Sequence, residues 1–204
     1  IAGNKNISNT LKRKGFDKER ISLIPLGTDT LLFSKNDPTE LRSRLHLESF
    51  TIGYLGRLIE DKGVLDLLEA LSQIKSNFNL LMIGSGKLKN KIDSIGKRLG
   101  ISEQIRLIDS VPSSQVPDYL NCMDCIVLPS RTTKKWKEQF GRVLTEAMSC
   151  EVPVIGSDSG EIPNVLGDCG LIFKEGDIDD LYSKIKLLIN SKKLRTELAK
   201  KGRQ

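Results

Sequence analysis

Residues 51–74 read TIGYLGRLIEDKGVLDLLEALSQI, and the fold turns on how this stretch is parsed. Thr51 to Leu55 is a short run suited to burial on both faces. Gly56 ends it, a charged turn runs to Gly63, and apolar residues then recur at 64, 65, 67, 68 and 71, the spacing of one helix face. A strand passing through a glycine turn into an amphipathic helix is half of a βαβ unit. The alternation continues outward in both directions. Further strand-like runs fall at Ile21 to Pro25, Asn79 to Ile83, Gln104 to Ile108, Asp124 to Leu128, Val152 to Gly156 and Gly170 to Phe173. Helical candidates are Gly63 to Ile74, Lys87 to Leu99, Ser113 to Asn121, Gly141 to Cys150 and Ile178 to Ile189. Ser113 reads as an N-cap, Asp177 precedes the helix at Ile178, and Gly100 stops the helix ending at Leu99. Near-continuous apolar strands separated by helices belong to a parallel sheet covered on both faces. The expectation is an α/β fold, a Rossmann-like doubly wound parallel sheet.

The chain has 204 residues, of which 38% are hydrophobic, enough to bury a full core as one domain over 1–204. No apolar run approaches the roughly 18 residues of a membrane span, and no charged-then-apolar leader follows Ile1. A start at an internal Ile leads us to expect a domain excised from a longer protein. A net charge of +6 and a pI near 9.1 would suit nucleic acid or an anionic membrane if the basic residues shared one face. They are instead spread among 26 acidic residues, and the densest stretch, Lys184 to Arg203, reads as a solvated helix face. Without an aromatic-interleaved basic motif, nucleic acid is not an expected partner. Cys122 and Cys125 have the spacing of a redox pair or half a zinc site. A zinc site needs a second ligand pair, and only Cys150, Cys169 and His46 remain to supply it. Cys125 begins the apolar run CIVLP, where a free Cys behaves as a small buried hydrophobe, and the structural reading of the cysteines implies a reducing, cytoplasmic setting.

In an open α/β sheet, ligands bind beyond the carboxyl ends of the strands, which directs attention to three strand-to-helix loops. Gly84-Ser85-Gly86-Lys87 is neither a dinucleotide fingerprint, whose third glycine would fall at Lys89, nor a P-loop, whose first would fall at Leu81. It is a tight turn whose N–H groups either approach a ligand or do not; the sequence leaves both open. In Gly56 to Gly63, Arg57 and Lys62 stand five residues apart, a planar fork and a flexible point charge suited to a diphosphate beside a helix start. Alternatively they pair in solvent with Glu60 and Asp61, and residue types alone favour that reading. In the third loop Glu138 and Glu146 lie eight positions apart. On one helix they would diverge by about 80°, so joint action requires Glu138 in the loop and Glu146 in the helix starting near Gly141. Two carboxylates so placed can each accept hydrogen bonds from vicinal hydroxyls while the helix start faces a phosphate. Read alone, both are ordinary helix-start and helix-surface acids.

Seven segments together resemble the C-terminal domain of the retaining GT-B glycosyltransferases of family 4, also called group 1. They are ISLIPLGTD (21–29) with Phe33, GRLIEDKG (56–63), LLMIGSGKL (80–88), IVLPS (126–130), EQFGRVLTE (138–146), EVPVIGSDSGEIPNV (151–165) and GDCGLIF (167–173). Each is weak alone; in this order and spacing they are specific, and they cover nearly the whole chain. The resemblance implies that Arg57 and Lys62 hold the donor diphosphate and offset charge as the nucleoside diphosphate leaves. It implies that Glu138 binds the transferred sugar, with Gly56 in the phosphate loop and the backbone of Phe140 and Gly141 near sugar and phosphates. Glu146 would take the ribose hydroxyls. Members transfer a hexose from UDP-, GDP- or ADP-sugar to a saccharide or lipid-linked acceptor, as in polysaccharide biosynthesis, with no cofactor and no metal.

Two positions depart from the pattern: Leu26 stands where Asn is usual, and Glu151 where Gly is usual. Arg131 to Lys137, basic and holding the only Trp, is assigned either to the donor site or to a partner surface. In this architecture the acceptor site and the His beside the reacting sugar belong to an N-terminal domain. That domain is expected to be the missing partner of this chain, with residues 1–30 including the domain start after the interdomain linker, and any membrane contact would be made by it. His46 falls outside every motif and reads as solvated. The chain alone is expected to bind donor without turnover. The rival readings are a non-catalytic nucleotide-binding or regulatory module and a redox protein using Cys122 and Cys125.

Overall fold

In the computed structural model, which describes residues 1–204, six strands form one sheet. They are β1 (Phe50–Leu55), β2 (Phe78–Ile83), β3 (Ile105–Ile108), β4 (Cys125–Leu128), β5 (Val154–Ser157) and β6 (Leu171–Phe173). Every neighbouring pair is parallel, and the order is β3-β2-β1-β4-β5-β6. Successive strand residues face opposite sides. Leu80 and Met82 of β2, with Cys125 and Val127 of β4, enter one core layer, while Leu81, Ile83, Ile126 and Leu128 enter the other. Both faces are covered, which is why Leu80–Ile83 and Cys125–Leu128 are apolar at every position rather than at alternate ones.

Nine α-helices surround the sheet: α1 (Lys5–Arg13), α2 (Thr39–Arg44), α3 (Val64–Ser72), α4 (Lys89–Leu99), α5 (Val116–Asn121), α6 (Arg142–Ser149), α7 (Ile162–Leu166), α8 (Ile178–Asn190) and α9 (Lys192–Arg203). α3, α4, α8 and α9 cover one face through Leu67, Leu68, Leu71, Ile92, Leu181, Ile185, Leu188 and Leu198. α5, α6 and α7 cover the other through Leu120, Leu144, Ala147, Ile162 and Leu166. Each fully buried Leu or Ile among them contributes about 1.5–3 kcal/mol. No helix is long and apolar enough to cross a membrane.

Three local expectations are corrected. Ile21 to Pro25 is not a sheet strand; Leu23 makes only an isolated parallel bridge to Ala2, and Leu23, Ile24 and Leu26 stay exposed. A segment with one bridged residue and no second neighbour cannot extend a ladder. Ser113 caps nothing: it opens a 3₁₀ turn over Ser113–Gln115, and α5 starts after it with Pro117 in its first turn, where no N–H is needed. The basic stretch 184–203 is two helices broken at Ser191, whose hydroxyl accepts from the Leu194 N–H at 3.1 Å and so starts α9. Asp177 and Gly100 act as expected. The Asp177 carboxylate accepts from the Asp180 N–H, and Gly100 closes α4 at φ 73°.

The two non-glycine residues with positive φ, His46 (54°) and Glu151 (59°), occupy the same structural position. After α2, His46 N–H donates to Ser43 C=O and Leu47 N–H to Arg42 C=O; after α6, Glu151 N–H donates to Met148 C=O and Val152 N–H to Ala147 C=O. This paired closure of the last turn normally employs glycine. The family's usual glycine at 151 is thus a helix stop, and the single histidine is an exposed one.

All four cysteines are free. Cys122 and Cys125 enter opposite core layers, so the sheet itself separates the two thiols. Burial pushes the Cys122 thiol up to about 11 and raises that of Cys125 further. Neither is a thiolate at neutral pH, which removes the chemistry a redox pair requires.

Candidate functional site

Chain order along the sheet runs outward from β1 to β3 on one side and resumes with β4 on the other. The loops after β1 and β4 therefore part at their carboxyl ends, opening a crevice. A cavity of about 540 Å³ lies there, within the range of small-molecule sites. Gly56, Lys62, Glu138, Phe140, Gly141 and Glu146 all line it, and Arg57 lines an adjoining cavity of about 240 Å³. All seven residues singled out from the sequence are thus brought to one crevice.

The loop after β1 is held by its neighbour after β2. Gly56 N–H donates to Ile83 C=O (3.0 Å), Leu58 N–H to Ser85 C=O (2.8 Å) and Leu88 N–H to Leu58 C=O (2.9 Å). A Cβ on Gly84 would lie 2.0 Å from the Gly56 carbonyl oxygen, and one on Gly86 2.4 Å from that of Leu58. The Gly84 turn is therefore a buttress for the charged loop, and Gly84 and Ser85 also reach the smaller cavity. From beneath, the buried Tyr54 hydroxyl donates to Arg57 C=O at 2.6 Å. Burial first, and the nearby Glu138 charge second, hold this phenol well above its ordinary range, so it stays a donor. Arg57 itself is exposed and enters none of the ion pairs.

Lys62 does not pair with Glu60 or Asp61, as residue types alone favoured. Its Nζ lies 2.5 Å from Glu138 Oε2, across the crevice, with both side chains largely buried. Ser130 Oγ donates to the same oxygen at 2.9 Å, and the Trp136 ring centre is 4.7 Å from Lys62 Nζ. Glu138 lies in the loop and Glu146 inside α6, as their 80° divergence on one helix demanded. Glu146 is 9% exposed and accepts from the solvent-facing Arg142 at 3.1 Å. α6 begins at the left-handed Gly141 with no side-chain cap, leaving its first N–H groups to the cavity side.

One crevice thus gathers two cations and an uncapped helix start, which suit phosphate oxygens, with two carboxylates, which suit hydroxyl donors. No group of three or more His, Cys, Asp or Glu side chains is arranged as metal ligands would be.

The sequence model for glycosyl transferases group 1 matches residues 37–204. The chain belongs to this family. It is 32% identical over 214 residues to the capsular polysaccharide biosynthesis glycosyltransferase CapM of Staphylococcus aureus, covering 97% of this chain and 55% of CapM. It is 28% identical over 183 residues to the N-acetyl-alpha-D-glucosaminyl L-malate synthase of Bacillus anthracis, covering 86% of this chain and 46% of that enzyme. The chain spans about half the length, or less, of these relatives. Its fold is that of GT-B glycosyltransferase structures. The UDP complex of Anabaena Alr3699/HepE superposes with a TM-score of 0.89 at 22% identity, covering all of this chain and 57% of that one. The C-terminal domain of a group 1 family glycosyl transferase (LpcC) from Francisella tularensis superposes at 0.75 and 24% identity, covering 87% of this chain and 95% of that one.

Two residues that meet at this crevice in the group 1 family chain were not assigned from the sequence. Ser130 ends the IVLPS segment, and only its contact with Glu138 marks it. Trp136 stood out as the single Trp in a basic stretch, but its place over Lys62 needed the fold.

Proposed function

We propose that this chain holds the donor for a retaining hexosyl transfer, binding a nucleoside diphosphate sugar between β1 and β4. The observation carrying this reading is the meeting of Lys62 and Glu138, 76 positions apart, at the mouth of the 540 Å³ cavity. Arg57 and Lys62 would take the diphosphate and offset charge as it leaves, and the N–H groups after Gly141 would add to them. Glu138 would accept hydroxyls of the hexose, and Glu146 those of the ribose. Cationic side chains in this position make a bridging metal unnecessary, so binding should survive chelation. The HepE structures are complexes with UDP and with UDP-glucose, which supports a nucleotide-sugar ligand for the same crevice here. Because CapM and its like are about twice as long, the acceptor and the completing catalytic group would come from the remainder of such a protein, and this chain would bind without turnover. The buried free thiols favour a reducing, cytoplasmic setting.

Calorimetric titration with UDP, GDP, ADP and pyrophosphate, with and without EDTA, tests this. A charge-assisted contact contributes about 1.5–3 kcal/mol, so Lys62→Ala should weaken nucleoside diphosphates by roughly 10- to 100-fold. Glu146→Ala should weaken ribonucleotides more than pyrophosphate. Unchanged affinity in both variants would sink the reading.

A further inference from the structure

We infer that Trp136 is a positioning residue for Lys62, holding its ammonium over the crevice while leaving its charge and donors available to a phosphate. The inference rests on the donor-binding reading of the site. A lysine side chain with only 15% of its surface exposed needs partners, and Lys62 has two of different kinds. Glu138 takes one N–H at 2.5 Å and compensates charge. The Trp136 ring, 4.7 Å away, attracts the cation through its quadrupole but accepts no strong hydrogen bond and carries no opposite charge. An ammonium has three donors, so those not directed at Glu138 remain for a ligand. With the carboxylate alone, the flexible lysine stem would be free to follow Glu138; with the ring as well, its direction is set from two sides.

The backbone that carries the ring is held in a turn. The Trp136 backbone N–H donates to Thr133 Oγ (3.0 Å), and Thr133 N–H donates to Trp136 C=O (2.7 Å), closing four residues. The base of that loop is pinned to the elements carrying Lys62. Arg131 N–H donates to Asp61 C=O at 2.9 Å, and the Arg131 guanidinium forks onto Asp66 of α3, each bond 2.5 Å. Thr132 Oγ lies 2.9 Å from Ser159 Oγ, and Thr132 N–H donates to Glu175. Of the basic stretch 131–137, Arg131 thus ties the loop to Asp61 and Asp66, and Trp136 meets Lys62, which lines the crevice.

Trp136 is the only tryptophan, so protein emission excited at the indole band reports the surroundings of this residue. Inorganic pyrophosphate, which needs no base pocket, is the probe, at constant ionic strength. Pyrophosphate should draw Lys62 toward it and change Trp136 emission saturably. Lys62→Met should alter the emission of the free protein and abolish the pyrophosphate response. By calorimetry Trp136→Leu should weaken pyrophosphate by roughly 3- to 30-fold, the range of a cation–π contact, and Trp136→Phe should restore most of the loss with an unchanged melting temperature. A Trp136→Leu protein that binds pyrophosphate as wild type does overturns the inference and leaves donor binding intact. An emission unaltered by Lys62→Met also overturns it, without needing the Trp136 variants to fold. Wild-type protein that binds neither pyrophosphate nor UDP, GDP or ADP overturns the donor reading and this inference with it.

Discussion

Glu151 closes α6 at φ 59°, a backbone region that costs a side-chain-bearing residue about 1 kcal/mol or more. Its carboxylate pairs with Lys35 at 2.8 Å, but that pair is open to water and contributes little. Glu151→Gly should therefore stabilise the protein by about 1 kcal/mol, read as a higher denaturant midpoint with unchanged slope. A lower midpoint would show that the Lys35 pair outweighs the backbone term. At this scale the sequence was informative about identity but not about partnership. Arg57, Lys62, Glu138 and Glu146 could be singled out from motif order, and that Glu151 replaced a usual glycine was visible. The partner of Lys62 was not. Glu60 and Asp61 are its neighbours in sequence, while Glu138 becomes its neighbour only once β1 and β4 lie side by side.

Strand–turn–helix units were legible where apolar residues kept a period, as in β1 through α3 and β2 through α4. Helices with little apolar surface were not. α1, KNISNTLKR, offers Ile7 and Leu11 and buries only Ser8, and α2 and α7 have six and five residues. Such elements form because tertiary contacts hold them, as Asn6 N–H holding to the buried Glu161 shows for α1. The glycine turn after β2 was equally ambiguous, since a turn that touches a ligand and one that supports another turn share a sequence. Its geometry yields a prediction. Gly86→Ala would place a methyl 2.4 Å from the Leu58 carbonyl oxygen, and backbone cannot yield cheaply. We expect a loss of about 1–3 kcal/mol in stability. Because the strain falls on the loop bearing Arg57 and Lys62, pyrophosphate affinity should fall too, even at temperatures where the variant is fully folded. Calorimetry on the folded variant showing wild-type affinity would separate the two loops mechanically.

Buried thiols, alongside the buried Tyr54 phenol, make the whole molecule less stable at alkaline pH. Burial raises Cys122 and Cys150 from an ordinary 9.0 to about 11 each, so the folded chain keeps protons that the unfolded chain releases between these values. Stability from these groups is complete below pH 9 and drains away as pH rises toward 11. Melting temperatures across that interval should fall, and fall less in a Cys122→Ala, Cys150→Ala variant. An equal slope in both proteins would move the cause elsewhere.

The ladder between β1 and β4 pairs Ile52 with Cys125 and Gly53 with Ile126, with Asp124 bonded to Thr51 just before them, whereas β1 and β2 are matched along all of Phe50 to Leu55. The crevice sits directly over that short join, with Lys62 on one bank and Glu138 on the other. Anything bound across it would act as a clasp between the two halves of the sheet, and its signature would be temporal. Amide hydrogen exchange in β1 and β4 should slow on adding a nucleoside diphosphate, while β3 and β6, at the outer edges, keep their own pace. Uniform slowing across all six strands would mean that the ligand resists only the global opening of the chain.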